Sequence, residues 1–526
     1  MRATLLVELL TEELPPKSLK ELAGEFGWSL YSGLKEDHFI ADDGTASIFA
    51  TPRRIAVGIS NVREVAPDSE VVVKGPAVKA GLDASGNPTK ALLGFAKKRG
   101  VTVDQLIRVN DGKQEVFAHR DLAKGGHLDT TLELKVEEAL RRLPVPKMMR
   151  WGSGDAQFVR PVRGLVMLHG TRRVPGTVLG VKSGNRTRGH RFMGKGDIIL
   201  ANADAYEAQL LDEGKLIADF SKRRSAIDRQ LIAEARHHGA GLGEYEPLLD
   251  EVTALVEHPS VYVGEFDPAF LDIPQECLIL TMRQNQKYFP LFDAEGRLLP
   301  KFLIVSNMQL ADPRHVIGGN QRVVRPRLED ARFFFNQDRK VRLEARVPQL
   351  EKVVYHNKLG NQLQRVERVQ LLAGKIAREL KCDAALAERA AWLAKADLLT
   401  GMVGEFPELQ GTMGRYYAAH DGEPAAVADA IEAHYRPRFA GDRLPEGPVA
   451  CAVALAEKLD AIAGMFSIGQ QPTGDKDPFG LRRAALGIVR ILVENQLRLS
   501  LTELVKAACE PFQQKAPAEL VEFVYD

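Results

Sequence analysis

Two different hydrophobic periods divide this sequence, and the changeover near Pro326 limits the folds open to it more than any other feature. From Met149 to about Val324 the apolar residues come in short runs, GLVMLHG, TVLGV, SVYVGEF, ECLILTMR and KFLIVSNM. Short β-branched runs bounded by glycine, proline or charge read as strands. One helical insertion interrupts them, from about Ala203 to His237. Beyond Pro326 the apolar residues recur at helical spacing nearly to the end, as in HNKLGNQLQRVERVQLLAGKIARELK and CAVALAEKLDAIAGMF. One core cannot serve both patterns over 526 residues, a length that suggests about three to four domains. A multidomain α+β protein is expected.

Ahead of the strand-rich part, TLLVELLTEELPPKSLKELAGEFGWSLYSGL runs from a strand through Pro15–Pro16 into an amphipathic helix. TASIFATPRRIAVGISNV then reads as a strand pair. A helix with Leu92, Leu93, Phe95 and Ala96, a strand around Glu115 to Ala118 and a helix from Asp129 to Leu143 complete an N-terminal α/β region. The expected partition is 1–145 for that region, 146–325 for a strand-rich module, 326–466 for an all-α domain and 467–526 for a helical linker. The last residues, ELVEFVYD, are helical in pattern and lack a capping glycine, so the chain is expected to stop inside or just before a further domain.

Composition excludes several classes. The N-terminal apolar stretch is broken by Glu8 and the Glu12–Glu13 pair, so it is neither a signal peptide nor an anchor. No apolar run approaches the roughly 18 residues of a membrane span. Cys277, Cys382, Cys451 and Cys509 lie far apart with no CxxC pair, as expected of reduced thiols in a cytosolic chain. No full zinc motif or nucleophile elbow is present. With 71 basic and 70 acidic residues, any signal for a polyanionic partner must come from local segregation of charge.

Such segregation exists. Between Asp155 and Asp197 there is no acidic residue, while Arg160, Arg163, Arg172, Arg173, Lys182, Arg186, Arg188, Arg191 and Lys195 fall there with His169 and His190. On a β scaffold these side chains are expected to form a positive face that tracks phosphates; arginine outnumbers lysine, and its fork suits phosphate. The competing reading is a solvated face whose partners are acids from elsewhere in the fold. Within the stretch, GHRFMGKG mimics a phosphate-binding loop, but it ends on Gly196, which has no hydroxyl for Mg²⁺.

The segment RPRLEDARFFFNQDRK, residues 325 to 340, is read as a helix with Pro326 in its first turn and Glu329 and Asp330 at its positive end. Leu328, Ala331 and Phe335 are expected to pack inward with Phe334 beside them, and Phe333 to pack rather than stack on a base. Arg325, Arg327, Arg332, Arg339 and Lys340 are candidate polyanion contacts, and Asp338 is expected to pair with Arg342. In PTGDKDPFGLRRAALGIVRIL, Asp477 is read as an N-cap and Pro478 as first turn, with Leu481, Ala485, Ile488 and Leu492 buried. Lys476, Arg482 and Arg483 then gather near a helix amino end, where anions are favoured.

These motifs carry a resemblance. LLVELLTEELPP, FVRPVRGLVMLHG, RTRGHRFMG, EHPSVYVGEFDPAFLDIPQECLILTMRQNQKYFPLFD, RPRLEDARFFFNQDRK, HNKLGNQLQRVERV, AKADLLTGMVGEFPELQGTMGRYYA and QPTGDKDPFGLRRAALGIVRIL occur in this order across nearly the whole chain. Together they resemble the beta subunit of the bacterial tetrameric glycyl-tRNA synthetase. The resemblance implies a tRNA-binding, itself non-catalytic subunit of a cytoplasmic α2β2 ligase. ATP and Mg are then expected on the alpha subunit and no cofactor in this chain; no class II active-site arrangement is identifiable here. It also implies that 146–325 is a B3/B4-like module, that 326–466 is HD-like, and that a helical anticodon-binding domain lies beyond the last residue. The expected tRNA contacts are Arg160, Arg163, Arg186, Arg188, His190, Arg191 and Lys195, with the cations already named in the two later segments.

Two alternatives follow from the same likenesses: an HD-type metal-dependent phosphohydrolase and a B3/B4-type aminoacyl-tRNA deacylase. In the HD comparison His356 stands at the first ligand position, the dyad position reads Ala396–Asp397, and Glu457 takes the closing place. With the dyad histidine absent, the ligand set is incomplete and no metal is expected.

Overall fold

The N-terminal run RATLLVELLT is buried at every position from Leu5 to Thr11 because, as strand Arg2–Thr11, it is covered on both faces. In the computed structural model, Leu5, Val7 and Leu9 join one core with Leu19, Leu22, Phe26 and Leu30 of helix Pro16–Glu36. Leu6 joins another with Val166, Leu168, Ile198, Tyr206 and Leu210. The structure describes all residues except 84–85, 111, 113, 146, 514–517 and 526. Asp526, the end of the terminal pattern, and Pro146, at the expected domain boundary, thus lie outside the described residues.

The chain divides into two compact units. The first comprises Met1–Tyr262 with Leu303–Pro313; the second comprises Val263–Phe302 with Arg314–Asp526. In the first, a seven-stranded sheet runs in the order Thr177–Val178, Val181–Gly184, Val162–His169, Arg2–Thr11, Arg54–Arg63, Ala46–Thr51, with Arg172–Arg173 pairing at the side. The first strand pairs antiparallel with both neighbours, Leu5 opposite His169 on one side and Val7 opposite Val57 on the other. Strands from either side of residue 145 therefore share one sheet, whereas the sequence reading drew a boundary there. A strand buried on both faces needs two ladder partners, and nothing in the local pattern says that one comes from about 160 residues downstream. Residues 69–123 form a separate three-stranded sheet with helix Lys90–Arg99 beside it.

The second unit is mostly helical. Helix Pro448–Ser467 is apolar nearly all round and buried along almost its full length, as a central helix must be. It packs against Gln362–Glu379, Ala425–Ala433 and Leu481–Glu494. Val263–Phe302 contributes a ring stack, with the Tyr288 and Phe302 centroids 4.7 Å apart. No described helix is long and apolar enough to cross a membrane, and the four cysteines are free thiols.

Helix Arg314–Asp338 starts earlier than the sequence suggested, so Pro326 sits inside it and not in its first turn. Proline there removes one intrahelical hydrogen bond, but the stripe Val324, Leu328, Ala331 and Phe335 is buried on both sides of it, and packing carries the helix through. Asp338 does not form a surface pair with Arg342. It is buried and accepts from the backbone N–H groups of Gly401 (2.8 Å) and Met402 (2.9 Å) and from the Tyr417 hydroxyl (2.9 Å). Arg342 instead donates to the Asp421 carbonyl.

A buried ion pair ties the first unit together. Arg54 and Glu8, on adjacent strands, are both almost fully enclosed, with Nη1 3.2 Å from Oε2. Arg54 also donates to Thr51 Oγ1, Thr187 Oγ1 and the Arg188 carbonyl, and Tyr206 donates its hydroxyl to Glu8. Burial works against the guanidinium charge, but Glu8, Tyr206 and Glu257 overcome it and raise the Arg54 pKa. Replacing one member of such a pair strands the other charge in the core, at a cost of about 3–5 kcal/mol. We expect Arg54→Met to lose stability on that scale in urea denaturation, and Glu8→Gln with Arg54→Met to recover part of the loss.

Candidate nucleic-acid interface

The acid-free stretch does not fold into an acid-free surface. Arg163 meets Glu12 at 2.7 Å, Arg172 meets Asp129 at 2.6 Å, and Arg186 and Arg188 share Asp197 at 3.1 Å each. Arg191 reaches Glu13 at 3.2 Å and Lys195 reaches Glu213 at 2.8 Å. Arg160 donates to the Glu13 carbonyl. Most of these cations thus have carboxylate partners, several of them brought in from elsewhere in the fold by tertiary structure. Most of these pairs are well exposed, and such pairs contribute only about 0–1 kcal/mol. A phosphate can therefore displace the carboxylates with little loss to the fold.

Strands Arg186–Arg188 and Asp197–Ile199 form a hairpin, and GHRFMGKG is its loop. No helix follows the loop, and most of its N–H groups are already engaged. The His190 N–H donates to the Gly214 carbonyl, that of Lys195 to the Glu213 carbonyl, and those of Phe192 and Met193 to His190 Nδ1. Two of its glycines, Gly189 and Gly194, serve close packing: a Cβ on Gly194 would stand 2.3 Å from the Gly214 carbonyl oxygen. Most of the backbone donors that a nucleotide loop aims at phosphate are thus taken up within the fold here.

Between this hairpin and the ends of the central strands lies a cleft of about 680 Å³, lined by Arg53, Arg163, Arg188, His190 and Arg191 together with Glu12 and Asp197. Of the predicted contacts, the structure gathers Arg163, Arg188, His190 and Arg191 here. Sequence reasoning missed Arg53, whose guanidinium holds Glu257 (2.6 Å) and the Gly189 carbonyl (3.1 Å). The signal was its place beside Arg54 in an otherwise apolar strand pair. It also missed Phe192, whose ring is 74% exposed at the loop tip.

In the second unit the predicted cations lie on two elements. On helix Arg314–Asp338, Arg325 pairs with Glu329 and Arg332 lies over the Phe270 ring at 4.7 Å, while Arg327 is exposed. Just beyond the helix end, Arg339 donates to His420 and Lys340 is exposed. Phe333 is 57% exposed, not packed as expected, because it falls between the buried positions Ala331 and Phe335 and off their stripe. Helix Leu481–Glu494 begins after Pro478, so Asp477 caps it from four residues upstream, accepting from the N–H groups of Leu481 and Arg482. Ile491 takes the buried place foreseen for Leu492, which is half-buried. Lys476, Arg482 and Arg483 are exposed at that amino end; Arg482 donates to the Gly474 carbonyl and Arg483 to that of Arg438.

The three positions singled out in the HD comparison have different partners. His356 is half-buried, with its Nδ1 accepting from the Lys358 N–H. Glu457 is buried between Arg365 (3.0 Å) and Lys395 (2.7 Å). Lys395 also meets His434 Nε2 at 2.9 Å, and Arg365 meets Asp460 at 3.3 Å. Burial opposes the Glu457 charge, yet the cations hold its pKa well below the usual carboxylate range, whereas burial lowers that of Lys395 to about 8. Asp397 is fully buried, accepts from the Gly411 and Gly414 N–H groups, and leaves Oδ1 without a partner. Among the described residues no three His, Cys, Asp or Glu side chains are grouped to hold a metal.

Burial raises the Asp397 pKa to about 6. The folded state therefore binds the proton more tightly than the unfolded chain does, and stability falls as pH rises from about 4 to 6. Asp397→Asn removes that titration. Across the same window it should gain stability relative to wild type, by about 1–3 kcal/mol in urea titrations at successive pH values.

A family model described as glycyl-tRNA synthetase beta subunit matches residues 5–526. The glycine-tRNA ligase beta subunit of Aromatoleum aromaticum is 61% identical over 513 residues, spanning 97% of this chain and 74% of that protein. The corresponding protein of Neisseria gonorrhoeae is 53% identical over 99% of this chain and 76% of its own length. That of Polaromonas naphthalenivorans is 53% identical over 99% and 77%.

Proposed function

The chain belongs to the glycyl-tRNA synthetase beta subunit family, and on that footing we propose that it is the tRNA-binding partner of a separate catalytic alpha subunit in the ATP-dependent attachment of glycine to tRNA(Gly). The observation that carries the binding role is the arginine-lined cleft under the 186–199 hairpin. Arg53 is held by the buried Glu257, but Arg163, Arg188 and Arg191 are held by carboxylates that reach solvent, a weak arrangement that RNA phosphates can take over. The cations of the two helical segments extend the same role. ATP and Mg belong to the alpha subunit on this reading, since the loop most like a phosphate binder has most of its N–H groups engaged. The assembly is an α2β2 tetramer of the bacterial cytoplasm.

The strand-rich module is read as B3/B4-like and the helical domain as HD-like, both serving as scaffolds. The phosphohydrolase alternative loses ground because Glu457 is neutralised by Lys395 and Arg365. The deacylase alternative loses ground because no amino acid smaller than glycine exists to be misattached.

Two measurements test this. Changing Arg186, Arg188 and Arg191 to Glu should weaken tRNA binding and reduce the log–log salt slope by about 2, since up to three phosphate contacts are lost. An unchanged slope in a folded variant rejects the hairpin as a contact. In glycine-dependent pyrophosphate exchange this chain alone should be inactive and its mixture with the alpha subunit active; robust exchange by this chain alone rejects the division of labour.

A further inference from the structure

We propose that the cleft beneath the 186–199 hairpin takes the phosphate of one unpaired nucleotide of the RNA on Arg163, Arg188 and Arg191, while its base stacks beside the cleft on Phe192, whose ring centroid is 6.2 Å from that of the cleft-lining His190. The inference rests on the tRNA-binding reading and adds to it a site and a mode of recognition. A cleft of about 680 Å³ suits a nucleotide-sized ligand and is far too small for a duplex. An exposed ring can stack only on a base whose face is free, which is how single-stranded RNA is recognised.

Phe192 is at a place where a large apolar ring gains nothing for the fold, being 74% exposed. Its backbone is nonetheless held firmly. His190 Nδ1 accepts from the N–H groups of Phe192 (3.3 Å) and Met193 (3.2 Å), and the His190 and Lys195 N–H groups anchor both sides of the loop on residues 213–214. The ring is thus presented in advance, which lowers the entropy cost of binding. The adjoining guanidinium groups hold Glu12, Asp197 and Glu13 through exposed pairs, and a phosphate can bridge several of them at once.

The test uses the full chain, a short single-stranded RNA carrying 2-aminopurine, intact tRNA(Gly), and tRNA(Gly) trimmed of its unpaired 3′ nucleotides. Phe192→Ala, at an exposed site, should weaken binding of the short RNA and of intact tRNA by roughly tenfold or more. It should leave the salt slope unchanged, since stacking releases no counterions, and Phe192→Trp should restore affinity and quench the 2-aminopurine. Trimming should abolish the Phe192 effect if the nucleotide comes from the 3′ end and preserve it if it comes from a loop; either result supports the site. Wild-type affinity of folded Phe192→Ala for both RNAs, with tRNA still bound, overturns this inference alone. Failure of the wild-type chain to bind tRNA at all overturns the underlying reading as well.

Discussion

The contact between Arg54 and Glu8 sets the terms for the whole first unit. Two charges inside a sheet are stable only when their remaining hydrogen-bonding capacity is met, since dehydration otherwise exceeds their attraction. The unit meets most of that demand, leaving only Glu8 Oε1 of this pair without a partner, by bringing four separate pieces of chain to one point: the first strand through Glu8, the strand pair through Thr51, the hairpin through Thr187 and the Arg188 carbonyl, and helix Tyr206–Asp212 through Tyr206. The next residue back, Arg53, extends the clamp outward to Glu257 and the Gly189 carbonyl. The hairpin that walls the cleft is therefore fixed from within the core. Its outer arginines can exchange partners without disturbing it.

The helical unit uses the same principle for a different end. Arg365, Lys395, Glu457 and Asp460 satisfy one another in the interior, with Arg368 completing Asp460 at 2.7 Å. The carboxylate at the closing position of the HD comparison thus lies between two cations. A lysine ammonium and a guanidinium balance its charge, and an added divalent ion there would meet positive neighbours.

Much of the fold was legible from pattern. The burial of the strand Arg2–Thr11, the helix following Pro15–Pro16 and the central helix Pro448–Ser467 all follow from the run or period of apolar residues. The misreadings share one cause. Pro326 was placed in a first turn, Asp338 in a surface pair and Asp477 at an N-cap, each on a rule of neighbours a few residues apart. The structure decided each through more distant contacts or by shifting a helix boundary. Asp338, for example, answers to Gly401, Met402 and Tyr417.

The candidate site divides in the same way. Residue identity and spacing alone show where arginine is concentrated, that GHRFMGKG lacks the hydroxyl of a nucleotide loop, and that alanine, not histidine, precedes Asp397. Only the tertiary structure decided that the basic stretch is interleaved with Glu12, Glu13 and Glu213, that Arg53 joins its cleft, and that Phe192 stands out from a rigid loop. Charge acts through space and not along the chain, so a segment free of acids in sequence can fold into a surface where six of its nine lysines and arginines meet a carboxylate.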